Sequence, residues 1–293
     1  MEEIFCTVFT PTYNREYILP KLYNSLKKQN IKDFEWIIID DGSMDGTEEL
    51  VKEWCSEKLD FPIVYKKVEN GGKHRAINKA IQIARGKLFF IVDSDDYLTE
   101  DAIEKIKYYE STLQKNKKKY AGVSGFRGYT KQDVIGKQLK KDYIDALNSE
   151  RKKYNLLGDK AEAYYTEILK KYPFPEIDGE KFIPESVVWN RIASDGYQLR
   201  WFRDIIYICN YLEDGLTKST LQLYKKNPKG YLMFIQSEIK NTRPSYIRKL
   251  KYYYGYYIAV REIKTDEEIT KDLGINNNMI RLLKLISFSK NMK

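Results

Sequence analysis

Histidine is almost absent: His74 is the single one in 293 residues. One histidine cannot build a histidine-rich zinc site, nor a serine or cysteine hydrolase that needs a second. Cysteine is scarce as well. Cys6, Cys55 and Cys209 are odd in number and far apart, and two sit in apolar, strand-like runs. That points to small buried side chains rather than a disulfide framework. No apolar run approaches the roughly 18–20 residues of a bilayer-spanning helix. The first residues, Met1, Glu2, Glu3 and Ile4, lack the basic-then-apolar pattern of a signal peptide, so a cytoplasmic location is expected. There is no internal repeat, low-complexity tract or long flexible linker.

What is present suits a folded soluble protein, with 42% apolar and 32% charged residues. The net charge of +9 is unevenly placed. From Leu216 to Lys293 there are 16 Lys and Arg against 6 Asp and Glu, which leaves the first 215 residues at about −1. This basic region is rich in tyrosine (Tyr252, Tyr253, Tyr254, Tyr256, Tyr257). Such a surface can be plain solvated helix, or it can meet an anionic membrane or another protein. No RNA- or DNA-binding motif accompanies it, so nucleic acid is not an expected partner.

The first hundred residues alternate strand and helix. Strands are expected at 4–10, 34–39, 63–68 and 88–92. Helices are expected at 15–28 with Asn14 as N-cap, at 47–56, at 73–84, and for about fifteen residues after a Thr99 cap. Near-continuous apolar strands between helices imply a parallel sheet covered on both faces, with ligands bound beyond the carboxyl ends of its strands. From 121 onward the pattern changes: a short strand at 123–129, a polar insertion, a helix at 160–171, a loop entering a helix over 182–195 with Pro184 near its first turn, and a strand at 204–211. Beyond Gly215 the chain reads as wholly helical, with breaks near Pro228, Pro244 and Gly274.

The polar motifs fall at the strand ends. TPTYNR follows the first strand, DDGS the second, NGGKHR the third and DSDD the fourth. Asp93 and Asp95, with Asp96 alongside, crowd negative charge against an apolar strand, which a cation would relieve. Hard cations such as Mg²⁺ or Mn²⁺ bind one or two carboxylates plus substrate phosphates. The competing reading is a solvated turn in which an aspartate caps the next helix. Asp40 and Asp41 could accept a base N–H or a ribose hydroxyl, although Asp-Gly is also an ordinary turn. Gly71 and Gly72 precede a helix whose Lys73 and Arg75 could address a diphosphate, or simply be exposed cations. Those cations should depress the pKa of His74 and disqualify it as a base near neutrality.

Taken in order, TPTYNR, DDGSMDGT, NGGKHRAIN and ARGKLFFIVDSDD resemble the donor-binding half of the family 2 glycosyltransferases, closely over residues 4–100 and loosely to about 215. The resemblance implies an α/β GT-A fold: a Rossmann-like, mostly parallel sheet flanked by helices. It implies a catalytic domain over 1–215, with a donor half to about 100 and an acceptor half beyond, followed by a basic helical region over 216–293. It also implies an inverting transfer of sugar from a nucleoside-diphosphate donor, UDP being expected, to a saccharide or lipid-linked saccharide. Carried over by position, Thr10, Pro11, Tyr13, Arg15 and Asp41 would hold the nucleoside. Asp93, Ser94 and Asp95 form the turn that holds ribose and metal, with Asp95 and Asp93 as the metal ligands and Mn²⁺ or Mg²⁺ as the ion. Lys73 and Arg75 would lie near the base and ribose.

The family's Glu-Asp pair, where its base usually sits, has become Glu185-Ser186. Glu185 is the expected base, with Glu180 and Asp178 as alternatives and a helix-start carboxylate as the plain reading. Lys218, in the segment after the last strand, would face the leaving diphosphate, in place of an ordinary loop. The mix of Lys, Ile, Asn and Tyr suggests a bacterium and surface polysaccharide synthesis. Apolar and basic residues over 279–290 suggest peripheral contact with the inner face of the cell membrane. Two rivals remain: a nucleotidyltransferase, whose glycine- and basic-rich signature is missing near the first strand, and a non-catalytic sugar-nucleotide binder, suggested by Ser186.

Overall fold

Period-two alternation on a few short strands decides the architecture. The computed structural model describes residues 4–114, 118–209 and 220–291. Strand β1 (Cys6–Thr12) leads to helix α1 (Leu19–Lys27), β2 (Phe34–Asp40), α2 (Thr47–Ser56), β3 (Ile63–Lys67), α3 (Lys73–Ile83) and β4 (Leu88–Ile91). Val8, Trp36, Ile38 and Phe90 face one way, into a core shared with Leu22 of α1, Val51 of α2 and Ile103 of a later helix. Phe9, Ile37, Ile39 and Phe89 face the other way, against Ala76, Ile77 and Ala80 of α3. Both faces are covered, as parallel sheets require.

The chain continues through β5 (Tyr97–Leu98), α4 (Ala102–Ser111), β6 (Tyr120–Gly128), β7 (Tyr143–Ala146), β8 (Lys160–Tyr165), α5 (Thr166–Leu169), α6 (Ser186–Ser194) and β9 (Gln198–Ile208). The nine strands form one sheet in the order β3-β2-β1-β4-β8-β6-β9-β5, with β7 paired to β9. Strands β1 to β4, β6 and β9 run one way, and β5, β7 and β8 run against them. The expected mostly parallel sheet is therefore present, with an antiparallel strand let in between β4 and β6.

That strand corrects one expectation. Residues 160–165 were expected to be helical, and their Lys, Ala and Glu are good helix formers. Both β4 and β6 need a hydrogen-bonding partner, and β8 pairs with each, so tertiary pairing overrides local propensity. Helix α1 also starts later than expected. Asn14 is not its N-cap but lies at φ 52°, in the left-handed region. Pro20 sits in the first turn of α1, a position its missing N–H and fixed φ favour. Helix α4 has ten residues rather than about fifteen, and Asp101 rather than Thr99 precedes it.

After residue 219 come α7 (Thr220–Lys226), α8 (Pro228–Thr242), α9 (Tyr246–Val260), α10 (Asp266–Leu273) and α11 (Asn277–Asn291). The expected breaks fall between them, with Pro228 opening α8 and Gly274 closing α10 in the left-handed conformation. A further break lies between α9 and α10, where Thr265 caps α10 through a capping box with Glu268. These helices pack around their own core of Tyr231, Ile235, Tyr256, Val260, Ile269 and Leu283. The tyrosines of the basic region are thus largely interior: Tyr253, Tyr256 and Tyr257 are buried. Among the described residues, no helix is long and apolar enough to cross a membrane.

Candidate active site

Because β1 to β4 run parallel, the loops after them emerge at one edge of the sheet, and hydrogen bonds join each to the next. The Asn14 N–H donates to Ser43 Oγ at 2.8 Å, and Met44 N–H donates back to Asn14 Oδ1 at 2.8 Å. Asp41 takes the N–H groups of Gly71 and Gly72, one on each carboxylate oxygen, both at 2.8 Å. Lys73 then reaches the fourth loop, with Nζ 2.5 Å from Asp93 Oδ1. The same ammonium lies 2.7 Å from Glu185 Oε1 at the start of α6. Four loops and the expected base therefore form one connected site.

Gly72 allows this closeness. Its φ is 93°, and a Cβ there would stand 1.9 Å from the carbonyl oxygen of Lys181. No other residue type fits both the torsion and the contact. The glycine brings the start of α3 against the segment that leads to Glu185.

The carboxylates of the fourth loop differ in kind. Asp93 is met from three sides. Lys73 pairs with it, Arg127 Nη1 lies 3.6 Å from Oδ2, and the Tyr207 hydroxyl donates to Oδ2 at 3.4 Å. Burial pushes its pKa up, but Lys73 and Arg127 outweigh that and hold the carboxyl below its usual range. Asp95 has no side-chain partner among the described residues. Burial first, and Asp93 second, push its pKa up. An ionised carboxylate disfavoured in this way gains from a nearby cation.

Among the described residues no three His, Cys, Asp or Glu side chains converge as a preformed metal cage. The fit is instead to an ion held by one or two carboxylates and completed by substrate phosphate oxygens, the usual mode of Mg²⁺. Asp95 is the carboxylate free for that role, whereas Asp93 already serves Lys73. Burial works against a charged Lys73, yet Asp93 and Glu185 outweigh it and raise its pKa. Ser94, between the two aspartates, is buried.

Other expected residues sort as follows. Tyr13 is 43% exposed and Pro11 half-buried at the edge of the site. Arg15 is half-buried, with Nη1 2.9 Å from Tyr17 Oη, and its charge reaches Asp95. Thr10 is different: its side chain is fully buried and accepts from the Trp36 indole N–H at 2.9 Å. It lies two residues after Val8 and so shares the core-facing side of β1. Arg75 is also engaged within the protein. Its guanidinium is taken by the carbonyl oxygens of Gly71, Glu180 and Ile177, at 2.6–2.7 Å. Glu180, an alternative base, accepts two backbone N–H groups at the start of α8. Asp178 is exposed, and Lys218 lies outside the described residues.

His74 is buried, and burial first, then Arg75, pull its pKa down to about 4. The expected direction holds, but desolvation is the larger cause. A neutral interior imidazole at neutral pH does not replace Glu185 as base.

Three residues of the site were not foreseen. Arg127, at the end of β6, stacks over the Tyr207 ring at 4.1 Å beneath the DSDD turn, and the Tyr207 hydroxyl takes the Asp93 N–H at 2.9 Å. A cation closing the buried run AGVSGFRG was the available signal. Glu162 on β8 lies 3.7 Å from Arg151, and burial, reinforced by Glu185, raises its pKa. A cavity of about 460 Å³ elsewhere, lined by Asp101, Lys105, Arg203 and Asp204, touches none of the four loops. Lys105 there is paired with Asp101 and Asp204.

Comparison with known proteins bears on the family and the fold. Poly(ribitol-phosphate) beta-N-acetylglucosaminyltransferase TarS of Staphylococcus aureus is 34% identical over 100 residues, 33% of this chain and 17% of TarS. Abequosyltransferase RfbV of Salmonella typhimurium is 37% identical over 103 residues, 34% of this chain and 30% of RfbV. The chain thus matches less than a third of the length of either relative. The crystal structure of TarS 1–349 with UDP-GlcNAc has a TM-score of 0.61 at 21% identity, covering 90% of this chain and 77% of that one. Mannosyltransferase PcManGT from Pyrobaculum calidifontis, in complex with GDP-Man and Mn²⁺, has a TM-score of 0.59 at 16% identity, covering 98% and 80%. At such identities the likeness speaks for the fold, which is the expected GT-A arrangement. Residues 7–168, more than half the chain, match the profile of Glycosyl transferase family 2, and to that family the chain belongs.

Proposed function

We propose that this protein transfers a sugar from a UDP-sugar to an acceptor hydroxyl, by a single inverting displacement assisted by Mn²⁺ or Mg²⁺. One observation carries the reading: Lys73 alone separates the Asp93 carboxylate from Glu185, so the metal-side turn and the base lie within one side chain of each other. In this reading the donor lies on one side of Lys73 and the attacking hydroxyl on the other.

In this reading Asp41, Pro11, Tyr13 and Arg15 receive the nucleoside. Asp41 uses one acceptor site on each oxygen for Gly71 and Gly72, and a carboxylate has further lone pairs for a base N–H. Lys73 and Asp93 flank the ribose and diphosphate, Ser94 supports the turn, and Asp95 holds the ion. When bound, that ion supplies Lewis-acid stabilisation of charge on the diphosphate. Glu185 takes the proton from the acceptor hydroxyl, help typically worth about 10²–10⁴-fold. Lys218 belongs to the proposed donor site by resemblance alone. TarS was solved with UDP-GlcNAc, which supports UDP as the nucleotide.

The acceptor is proposed to be a saccharide or lipid-linked saccharide of a bacterial surface polymer, in keeping with relatives such as TarS and RfbV. The division into a catalytic domain over 1–215 and a helical region over 216–293 is also a proposal. The separate core of α7 to α11 supports it. Incubating the protein with a panel of nucleotide sugars and Mn²⁺ tests the activity. One UDP-sugar should release UDP, faster with a saccharide acceptor added. No nucleoside diphosphate from any donor would leave a sugar-nucleotide binder instead.

For location, the proposal is a cytoplasmic protein resting on an anionic membrane through α11. Ile280 and Leu283 are buried, whereas Leu285 and Phe288 are 67% and 69% exposed, beside exposed Arg281 and Lys284. Apolar residues interleaved with cations suit the interface of acidic lipids. Sedimentation with phosphatidylglycerol vesicles should retain the protein, and Leu285→Ser with Phe288→Ser should release it at least fivefold. Equal sedimentation with neutral vesicles, or no change in the variant, would contradict the contact.

A further inference from the structure

The basic C-terminal helices have no role in the chemistry above, yet α8 grips the segment that carries Glu185 at both of its ends. At the first end, Glu180 is 6% exposed, and its two carboxylate oxygens accept the N–H groups of Lys229 at 2.8 Å and Gly230 at 2.7 Å. These are first-turn donors with no partner inside their own helix, at the end where its dipole favours negative charge. The Lys181 N–H donates to Asn227 Oδ1 at 2.7 Å. Gly230 packs so closely that a Cβ would stand 2.4 Å from the Phe182 carbonyl oxygen.

At the other end Asn190, 1% exposed, donates from Nδ2 to Glu238 Oε1 of α8 at 2.9 Å and accepts from Asn148 Nδ2 at 2.8 Å. The Tyr252 hydroxyl of α9 donates to Glu238 Oε2 at 3.0 Å. From the donor side, Arg75 holds the carbonyls of Ile177 and Glu180. Glu185 lies midway between these anchors, and the side chain that pairs with its carboxylate is Lys73.

We propose that the C-terminal helical unit is a working part of the active site, with Glu180 a positioning residue that sets the Glu185 carboxylate against the acceptor. The inference rests on Glu185 being the base. A displacement of about 1 Å in a reacting group can cost about 10²-fold in rate, so a loop residue in this position depends on its anchors. The paired buried groups Glu180 and Asn190 also fix one register between α8 and the loop. Glu180 touches neither donor nor acceptor and acts through Glu185.

A double-mutant cycle tests this, because residues acting through one another are not additive. Glu180→Ala should lower kcat at least thirtyfold while UDP affinity stays within threefold. Glu180→Gln, which keeps one acceptor oxygen, should recover kcat to within fivefold of the parent. In a Glu185→Gln background, Glu180→Ala should cost less than a further twofold. Should Glu180→Ala not fold, Asn227→Ala removes the Lys181 contact and a bond to the Leu223 carbonyl while leaving Glu180 in place, and a fall in kcat of at least threefold should again vanish in the Glu185→Gln background. An undiminished effect there, or kcat unchanged by the anchor variants, overturns the inference while leaving the base in place. A fall of less than tenfold for Glu185→Gln alone removes the base assignment and this inference with it.

Discussion

Asp95→Asn is expected to lower transfer by about a thousandfold and to leave the melting temperature no lower than that of the parent. The size follows from losing a metal-ion contribution of several kcal/mol, at a factor of ten for each 1.36 kcal/mol. The stability follows from the environment of the carboxylate. Asp95 has no side-chain partner among the described residues, and burial and Asp93 disfavour its charged form. An acid whose folded pKa lies above its unfolded value costs stability at neutral pH, where it must ionise, so a neutral amide of the same shape removes that cost. Thermal melts beside turnover assays check both halves. Near-normal turnover with added Mn²⁺ would defeat the assignment, and a large fall in melting temperature would make the residue structural.

Glu185→Gln is expected to reduce kcat at least a hundredfold with donor affinity unchanged. The amide keeps an oxygen that can accept from Lys73, so the ammonium should stay beside Asp93. What the substitution removes is the ability to take a proton, which is the contribution attributed to general-base catalysis. Donor affinity and turnover falling together would mean that Glu185 serves as a helix-start carboxylate rather than a base. Lys73 itself is a poor choice for this test. Its removal would leave two carboxylates facing each other, and the loss would mix binding, folding and chemistry.

The donor half was legible in the sequence for a physical reason. Parallel strands buried on both faces read as unbroken apolar runs, and their carboxyl ends are marked by motifs that interrupt those runs. Helix α2 and strand β2 fall where expected, and the four motifs meet at one sheet edge. The acceptor half was harder because its partners are remote in sequence. Strand β8 is held between β4 and β6, and nothing local to KAEAYY announces that pairing. Reading it as helix hid the alternation that turns Glu162 towards the site. Arg127 and Tyr207 meet beneath the DSDD turn only because β6 and β9 lie side by side.

Orientation was the other gap. Motif membership placed Thr10 and Arg75 among the donor residues, whereas strand periodicity turns the Thr10 side chain into the core and three carbonyls claim Arg75. Thr10 was recoverable: two residues after Val8 it must share the same face of β1. Arg75 was not, since two of its three partners lie about a hundred residues on. The tail shows the same division. Its helices and breaks were visible in the proline and glycine positions, but the tyrosines proved largely interior, and the grip of α8 on the Glu185 segment depends on contacts that no local pattern records.

The claim on which the rest depends is that Asp95 recruits a divalent cation to the donor's diphosphate. Calorimetric titration of UDP, with and without Mn²⁺, into the parent and Asp95→Asn proteins tests it most directly. Mn²⁺ should tighten UDP binding at least tenfold in the parent and leave it unchanged in the variant. Equal tightening in both proteins, or none in the parent, would contradict the account.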